Sequence, residues 1–156
     1  MPPGRVESIH LALDAGAPMI VVESVRAVPG RGLEGDRYYE KAGTWSGKDG
    51  ADREITLIES EAIEALQRDY GIVLEPKESR RNVATRGVAL NHLVGKRFRI
   101  GGVTVLGLRL CEPCGYMEEM SGLRVRPGLV HRGGLRGQIL TEGWIRVGDA
   151  VILAGD

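Results

Sequence analysis

Two cysteines, Cys111 and Cys114, are the residues of this 156-residue sequence whose types and spacing point most directly to chemistry. They lie three apart in the segment RLCEPCGYMEE. A structural zinc site needs four ligands, commonly two Cys-x-x-Cys pairs, whereas this sequence has one pair and three histidines without ligand-pair spacing. A thioredoxin-like dithiol belongs in a strand–helix turn of an α/β sheet, which the surrounding β-rich pattern disfavours. A local disulfide stays open, although a reducing compartment favours two thiols.

Cys114 is the better candidate for a single reactive thiol. Cys111 ends the apolar run VTVLGLRL, where a free cysteine often serves as a small core residue. Cys114 follows Pro113, and GYMEEM beyond it predicts a short helix. The N-terminus of a helix stabilises a thiolate over a thiol, and the thiolate is the form that coordinates a soft metal or attacks an electrophile. Arg109 would add to this effect and Glu112 would oppose it.

A cluster of arginines forms the second candidate site, in the segment ESRRNVATRGVALNHLVGKRFRIGG. Arg80, Arg81 and Arg86 lie within seven residues, beside Asn82 and Thr85. An arginine fork can bind phosphate through two hydrogen bonds, and asparagine can donate to and accept from the edge of a heterocycle. Plain surface arginine is the alternative explanation for the same residues.

Two glycine-containing segments complete the list of candidates. In GRGLEGDRYY, the glycines permit positive φ angles or close backbone approach, and Asp36 and Arg37 could form a structural ion pair or line a site. In VHRGGLRGQIL, Arg132 and Arg136 flank a glycine pair ahead of a predicted strand. Neither segment is a phosphate-binding P-loop, and the GxSxG pattern of serine hydrolases does not occur.

The charge distribution favours a local anionic ligand. The formal net charge is zero, but residues 1–76 carry 8 basic and 14 acidic side chains, a net of −6, and residues 77–147 carry 13 basic and 5 acidic ones, a net of +8. A positive half in a neutral whole fits a small anion better than nucleic acid, and the arginine-rich segment ESRRNVATRGVALNHLVGKRFRIGG has one interleaved aromatic, Phe98. The sequence has no apolar run long enough for a membrane helix and no signal-peptide pattern, so we expect a cytoplasmic protein.

Many short β-strands are predicted to position these residues. Glycine is abundant at 23 residues, aromatic residues are scarce at 4%, and the apolar runs are short. Strands are predicted over residues 4–13, 19–28 and 54–58, and 95–110 is predicted to be a hairpin with its turn at Gly101 and Gly102. Residues 135–153 predict further strands, with breaks at Gly143 and Gly148, and the last of them closes a sheet. The pattern favours one domain over 1–156, a mainly antiparallel β-barrel or sandwich with a few peripheral helices.

One helix is predicted over 59–71, in ESEAIEALQRDYG. The spacing places Ala62, Ile63, Leu66 and Tyr70 on one face and charged residues on the other, and Gly71 provides the stop. A second, shorter helix is predicted from about Cys114 to Glu119.

The segments GLEGDRYY, SRRNVATRGVALNHLVGKRFRIG, LCEPC and RGGLRGQIL…GWIRVGDAV, in this order, resemble those of MOSC domains, a family named for the C-terminal domain of molybdenum-cofactor sulfurases. The resemblance covers nearly the whole chain and implies a β-barrel-like fold. It also implies binding of the molybdenum cofactor (molybdopterin), a pterin that carries a dithiolene and a terminal phosphate.

The resemblance further implies roles for individual residues. The cysteine after EP, Cys114, corresponds to the family cysteine whose thiolate binds molybdenum. RRN corresponds to the family block that contacts the pterin and its phosphate, so Arg80 and Asn82 inherit that role, while Arg81 stands where relatives often have proline. Thr85, Asp36 and Arg37 are further expected lining residues.

Three functions remain open at this point. The first is a molybdenum-cofactor enzyme that reduces N-hydroxylated or related N–O small molecules with electrons from a donor protein, because the chain has no flavin or haem motif. The second is a cofactor carrier or a sulfur-transfer module with a persulfide on Cys114, for which a cysteine desulfurase would be the partner. The third is a dithiol redox protein. The pyridoxal-phosphate-dependent desulfurase domain of the full sulfurases is not in this sequence, so no pyridoxal phosphate is expected in this chain.

Overall fold

Short apolar runs separated by tight turns form a β-barrel in the computed structural model, which describes residues 3–39 and 53–154. The strands within those residues are β1 (Gly4–Leu11), β2 (Ile20–Val22), β3 (Ser24–Val28), β4 (Gly32–Leu33), β5 (Ile55–Glu59), β6 (Val83–Arg86), β7 (Arg97–Ile100), β8 (Val103–Leu110), β9 (Leu135–Ile139), β10 (Gly143–Arg146) and β11 (Ala150–Leu153). The helices are α1 (Ser60–Tyr70), α2 (Gly115–Ser121) and α3 (Arg126–Leu129), with 3-10 turns at Pro76–Ser79 and Leu90–Leu93.

Seven strands close the barrel in the order β1, β11, β7, β8, β9, β5, β6, and β6 pairs again with β1. Strand β2 pairs antiparallel with the end of β1. Strands β10, β3 and β4 form a separate three-stranded sheet. The predicted β-barrel is therefore confirmed, including the last strand, β11, as a closing element. Closure satisfies the backbone groups that the edges of an open sheet would expose.

The barrel is mixed, whereas the sequence pattern predicts antiparallel pairing. Strands β5 and β6 run parallel, with Leu57 opposite Val83. Parallel neighbours require a crossover connection, and here α1 and the 3-10 turn Pro76–Ser79 provide it. The crossover ends at Arg80 and Arg81, so it sets the position of the arginine cluster immediately before β6.

Alternation along the strands builds the barrel interior. In β7, Phe98 and Ile100 are completely buried while Arg97 and Arg99 are exposed. The β7–β8 turn lies at Gly101, whose φ is 59°, as predicted for the hairpin. The predicted strand over 19–28 is instead divided between β2 and β3, which belong to different sheets.

Helix α1 packs a second apolar cluster against the outside of the barrel. Ala62, Ile63 and Leu66 are buried there, as predicted, and Gly71 ends the helix with a φ of 69°. Tyr70, predicted on the same buried face, is 55% exposed because it is the last helical residue. The short helix predicted after Cys114 is α2.

No helix in the described part of the chain is both long and apolar enough to cross a membrane. The single domain over 1–156 stays a prediction, and residues 1–2, 40–52 and 155–156 lie outside the described residues.

Candidate functional site

A cleft with a volume of about 150 Å³ brings the cysteine segment and the arginine cluster together. It lies where the chain enters β6 and β9 and leaves β8. Its lining residues are Arg37, Tyr38, Thr56, Arg80, Arg81, Cys111, Glu112, Cys114, Tyr116, Met117 and Arg136. Segments remote in sequence therefore converge on one concave surface. The lining residues include four arginines and one acidic residue, Glu112, a balance that favours an anionic ligand.

The two cysteines have different environments. Cys111 is 2% exposed, as expected for a small core residue at the end of β8, and Cys114 is exposed at the N-terminal cap of α2. Both are free thiols. Because a thiol must be accessible to coordinate a metal or attack an electrophile, Cys114 is the chemically available one.

Arg81 fixes the backbone of the cysteine loop. Its Nε donates to the carbonyl oxygen of Gly133 at 2.7 Å, and its Nη2 donates to those of Cys111 at 3.0 Å and Glu112 at 3.2 Å. A buried guanidinium that donates to three carbonyl groups is a structural brace, and these hydrogen bonds leave it less able to bind a ligand. Arg81 therefore holds the loop that presents Cys114.

Residues 131–134, with the sequence HRGG, pack against the loop that holds the two cysteines. A Cβ at Gly133 would overlap the carbonyl oxygen of Cys111 and lie 2.8 Å from Pro113 Cδ, so only glycine fits. The Glu112 carboxylate accepts hydrogen bonds from the backbone N–H of His131 at 2.6 Å, and pairs with its Nδ1 at 2.7 Å. The glycine pair singled out in the sequence thus has a packing role against the cysteine loop.

Arg80 is held in an unfavourable conformation. It follows the 3-10 turn Pro76–Ser79 with a φ of 61°, in the left-handed region, where a residue with a side chain is strained by about 1 kcal/mol. Its Nη1 donates to the carbonyl oxygen of Ala17 at 2.7 Å, and its Cζ lies 5.7 Å from the centre of the Tyr116 ring.

The rest of the Arg80 guanidinium is buried without compensation. Its Nε and Nη2 are inaccessible to solvent and have no hydrogen-bond partner among residues 3–39 and 53–154. Burial, and then the nearby Arg37 guanidinium, lower the pKa of Arg80 from its usual value, although an arginine side chain stays charged. Arg80 lines the cleft, and a rotation of its side chain would bring these charged donors to an anionic acceptor there.

Arg37 and Asp36 form the ion pair that the sequence suggested. Arg37 Nη1 lies 3.2 Å from Asp36 Oδ1, and both side chains are buried. Asp36 also accepts the backbone N–H of Ala12 at 3.0 Å, which attaches this loop to the end of β1. Arg37 lines the cleft, and Asp36 supports it from behind.

The structure does not bring Asn82 and Thr85 to the cleft wall. The Asn82 side-chain oxygen accepts hydrogen bonds from the backbone N–H and the hydroxyl of Thr56, both at 3.1 Å, and its amide donates to the carbonyl oxygen of His10 at 3.2 Å. Thr85 is completely buried. Asn82 thus joins β1, β5 and the start of β6, an arrangement that positions Arg80 and Arg81.

The buried histidine was not recognised as part of this arrangement from the sequence. His10 Nδ1 lies 2.8 Å from the carbonyl oxygen of Arg81, so it donates there, and Nε2 is 2.7 Å from the hydroxyl of Ser8. Burial lowers the pKa of His10, because the charged form of a buried imidazole is poorly solvated. Its position in β1 between apolar residues was the available indication of a buried role.

No group of three or more His, Cys, Asp or Glu side chains within the described ranges is placed to hold a metal ion. The cleft therefore offers a metal one protein thiol, Cys114, and would suit a metal whose other ligands come from a cofactor.

Comparison with known proteins identifies close structural counterparts. The family model described as "MOSC domain" matches residues 43–152. The YuaD protein of Bacillus subtilis has a TM-score of 0.78 at 18% identity, over 95% of this chain and 93% of that one. YiiM of Geobacillus stearothermophilus has a TM-score of 0.75 at 17% identity, over 98% and 76%. YiiM of Escherichia coli has a TM-score of 0.65 at 18% identity, over 97% and 70%. The comparison with curated proteins found no match.

Proposed function

The chain belongs to the MOSC domain family, and from that premise we propose that its cleft binds the molybdenum cofactor and reduces N-hydroxylated or related N–O compounds. The observation that carries the proposal is the meeting of an accessible thiol, Cys114, with the unpaired donors of Arg80 in one cleft. A soft thiolate suits molybdenum, and a guanidinium suits a phosphate.

Different residues of the chain would bind the metal, bind the anionic part of the cofactor and position these groups. Cys114 would supply the protein ligand to the metal, and Arg80 would hold the anionic part of the cofactor, supported by Arg37. Arg81 and Asn82 would act as positioning residues, because their donors are used within the protein. Cofactor contacts by Thr85 and Asp36 would be indirect, through the packing of β6 and the orientation of Arg37.

The cofactor, when bound, supplies a redox-active metal for two-electron chemistry. The overall reaction converts a hydroxylamine, R–NHOH, with two electrons and two protons into the amine R–NH₂ and water. The electrons must come from a donor protein, since the sequence carries no flavin or haem motif. Glu112 is the carboxylate on the cleft wall closest in sequence to Cys114, and its hydrogen bonds to His131 fix its orientation.

The test is cofactor content in protein purified from a host that makes the cofactor. We expect about one molybdenum and one pterin per chain in the wild type. Cys114→Ser should lose the metal because its only protein ligand in the cleft is removed. Cys111→Ser is the matched control and should keep both, since Cys111 is buried. Equal loss of function in Cys111→Ser and Cys114→Ser would favour the dithiol protein instead.

A second candidate function is a cofactor carrier or a sulfur-transfer module. The exposure of Cys114 favours it, because a persulfide must be reachable by a donor and an acceptor protein. Reduction of a hydroxylamine by the loaded protein with an artificial electron donor distinguishes the two. A loaded protein that does not reduce it, but passes its cofactor or sulfur to an acceptor enzyme, is a carrier.

A further inference from the structure

The outer wall of the barrel carries cations that the cleft does not use. Arg97 and Arg99 lie on the outside of β7, and Lys96 precedes them. All three are exposed, and no carboxylate forms an ion pair with them anywhere in residues 3–39 and 53–154. Elsewhere on the surface, arginines such as Arg86 and Arg126 are paired with glutamates. These three cations are therefore available to a binding partner.

The strands around them contain no acidic residue. Strands β7, β8 and β11 have the sequences RFRI, VTVLGLRL and AVIL. In the strand register, Arg99 lies between Ile152 on β11 and Thr104 on β8. Ile152 is 39% exposed, so the surface combines positive charge with an apolar centre. We call Lys96, Arg97, Arg99 and Ile152 the basic face.

The basic face leads towards the cleft. Arg97 lies opposite Leu106 on β8, and three residues further along β8 Arg109 lies opposite Arg136 on β9. Arg136 lines the cleft. With strands about 4.8 Å apart and about 3.3 Å per residue, Arg97 is about 14 Å from Arg136 along the barrel wall. A protein on this face would lie beside the opening of the cleft.

We propose that the basic face docks the acidic surface of the protein that donates electrons to the cleft. The inference rests on the proposed function, which needs two electrons per N–O bond reduced and a reduced protein to supply them. Complementary charge accelerates encounter and sets orientation, and an apolar centre flanked by charges is the usual composition of such a surface. Nucleic acid is the less suitable occupant, because the face has no aromatic side chain on which a base could stack.

The experiment measures binding of the full-length protein to two acidic redox proteins, a plant-type [2Fe–2S] ferredoxin and a flavodoxin. The test variant is Arg97→Glu/Arg99→Glu. The matched control is Arg68→Glu/Arg124→Glu, which makes the same charge change at two exposed positions outside the strands. We expect binding of at least one probe at about 50 mM salt, about tenfold weaker binding by the test variant, and less than about twofold change in the control.

Three results would overturn the proposal: equal weakening by both variants, absence of wild-type binding to both probes, or tighter wild-type binding to a DNA duplex than to either protein. Thermal unfolding verifies that each variant is folded. If the double reversal does not fold, Arg97→Gln/Arg99→Gln replaces it, with an expected weakening of about threefold.

Molybdenum and pterin content in the same preparations keeps the two proposals apart. Normal content with no docking removes only the basic-face proposal. Docking without cofactor removes the proposed activity and leaves the basic face as a docking surface for an acidic protein that does not reduce the cleft.

Discussion

Replacing Arg80 by glycine should separate binding from stability at the candidate site. Most buried arginines stabilise a fold, so their removal lowers the free energy of unfolding. Arg80 differs, because its backbone lies in the left-handed region and two of its buried donors have no partner. Glycine adopts a φ of 61° without strain. Arg80→Gly therefore removes two unfavourable terms together with the guanidinium.

The expected stability change follows from these contacts. Relief of backbone strain contributes about 1 kcal/mol, and removal of unpaired buried donors contributes about 1–3 kcal/mol for each. Against this stand the hydrogen bond to Ala17 and the Tyr116 ring contact, together about 2–3 kcal/mol, and the flexibility of glycine in the unfolded chain, about 1 kcal/mol. These terms leave a net change between about −1 and +4 kcal/mol, so the free energy of unfolding should be nearly unchanged or higher.

Cofactor retention should change in the opposite direction. Loss of two charge-assisted hydrogen bonds to an anion corresponds to about 3 kcal/mol, or about a hundredfold in the dissociation constant. Arg80→Ala is the control, because it removes the same guanidinium but keeps the left-handed strain. It should lose the cofactor equally and have a stability close to that of Arg80→Gly, because the strain that alanine keeps, about 1 kcal/mol, offsets the flexibility that glycine adds to the unfolded chain.

Urea unfolding of the cofactor-free proteins and pterin content of the purified proteins measure the two effects. The reasoning is refuted if Arg80→Gly lowers the free energy of unfolding by more than about 2 kcal/mol. Arg80 would then be a structural residue. Full cofactor retention in both variants would equally remove its assigned role.

Two further predictions concern the residues around the cleft and the barrel. Gly133→Ala should lower the free energy of unfolding by about 2–3 kcal/mol and reduce cofactor content, because the added methyl group displaces the loop of Cys111 and Pro113. Gly102→Ala is the control, because a Cβ there meets open space. It should change neither stability nor cofactor content in the same assays. Glu54→Gln should raise the free energy of unfolding at neutral pH, because burial raises the pKa of Glu54 and disfavours its charged form. A carboxyl group whose pKa is raised in the folded protein stabilises the fold at low pH, and this stabilisation is lost as the pH rises. The advantage of glutamine over Glu54 should therefore shrink as the pH falls. A stability difference that is constant with pH would contradict this assignment.

Local patterns were sufficient to predict most of the strands and the helices α1 and α2, but not β4, β6 or α3. The alternation in RFRI indicates a strand with one buried face, and Gly71 indicates the end of a helix, since both depend on neighbouring residues. The parallel pairing of β5 and β6 was not predictable in this way. It depends on where a crossover of α1 and a 3-10 turn delivers the chain, which is a non-local property.

The same contrast between local and non-local features applies to the candidate site. Both the segment with the exposed thiol and the arginine cluster could be identified from residue type and spacing. The different roles of Arg80, proposed to bind the ligand, and of Arg81, which braces the loop, could not be identified in this way, because the two residues are adjacent and chemically identical. Their difference arises from one backbone angle and from the carbonyl groups of a loop about 30 residues later in the chain. The contact between Glu112 and His131 is likewise between distant segments.

The contrast between Arg80 and Arg81 supports the presence of a ligand in the cleft. Arg81 has favourable contacts, with three carbonyl acceptors for its guanidinium. Arg80 has a strained backbone and unpaired charged donors, two unfavourable features in one residue. Natural proteins concentrate such violations at functional sites, where binding compensates for them. After a rotation of the Arg80 side chain towards the cleft, an anion bound beside Cys114 would supply the acceptors that Arg80 lacks, so one ligand would account for both the accessible thiol and the strained arginine.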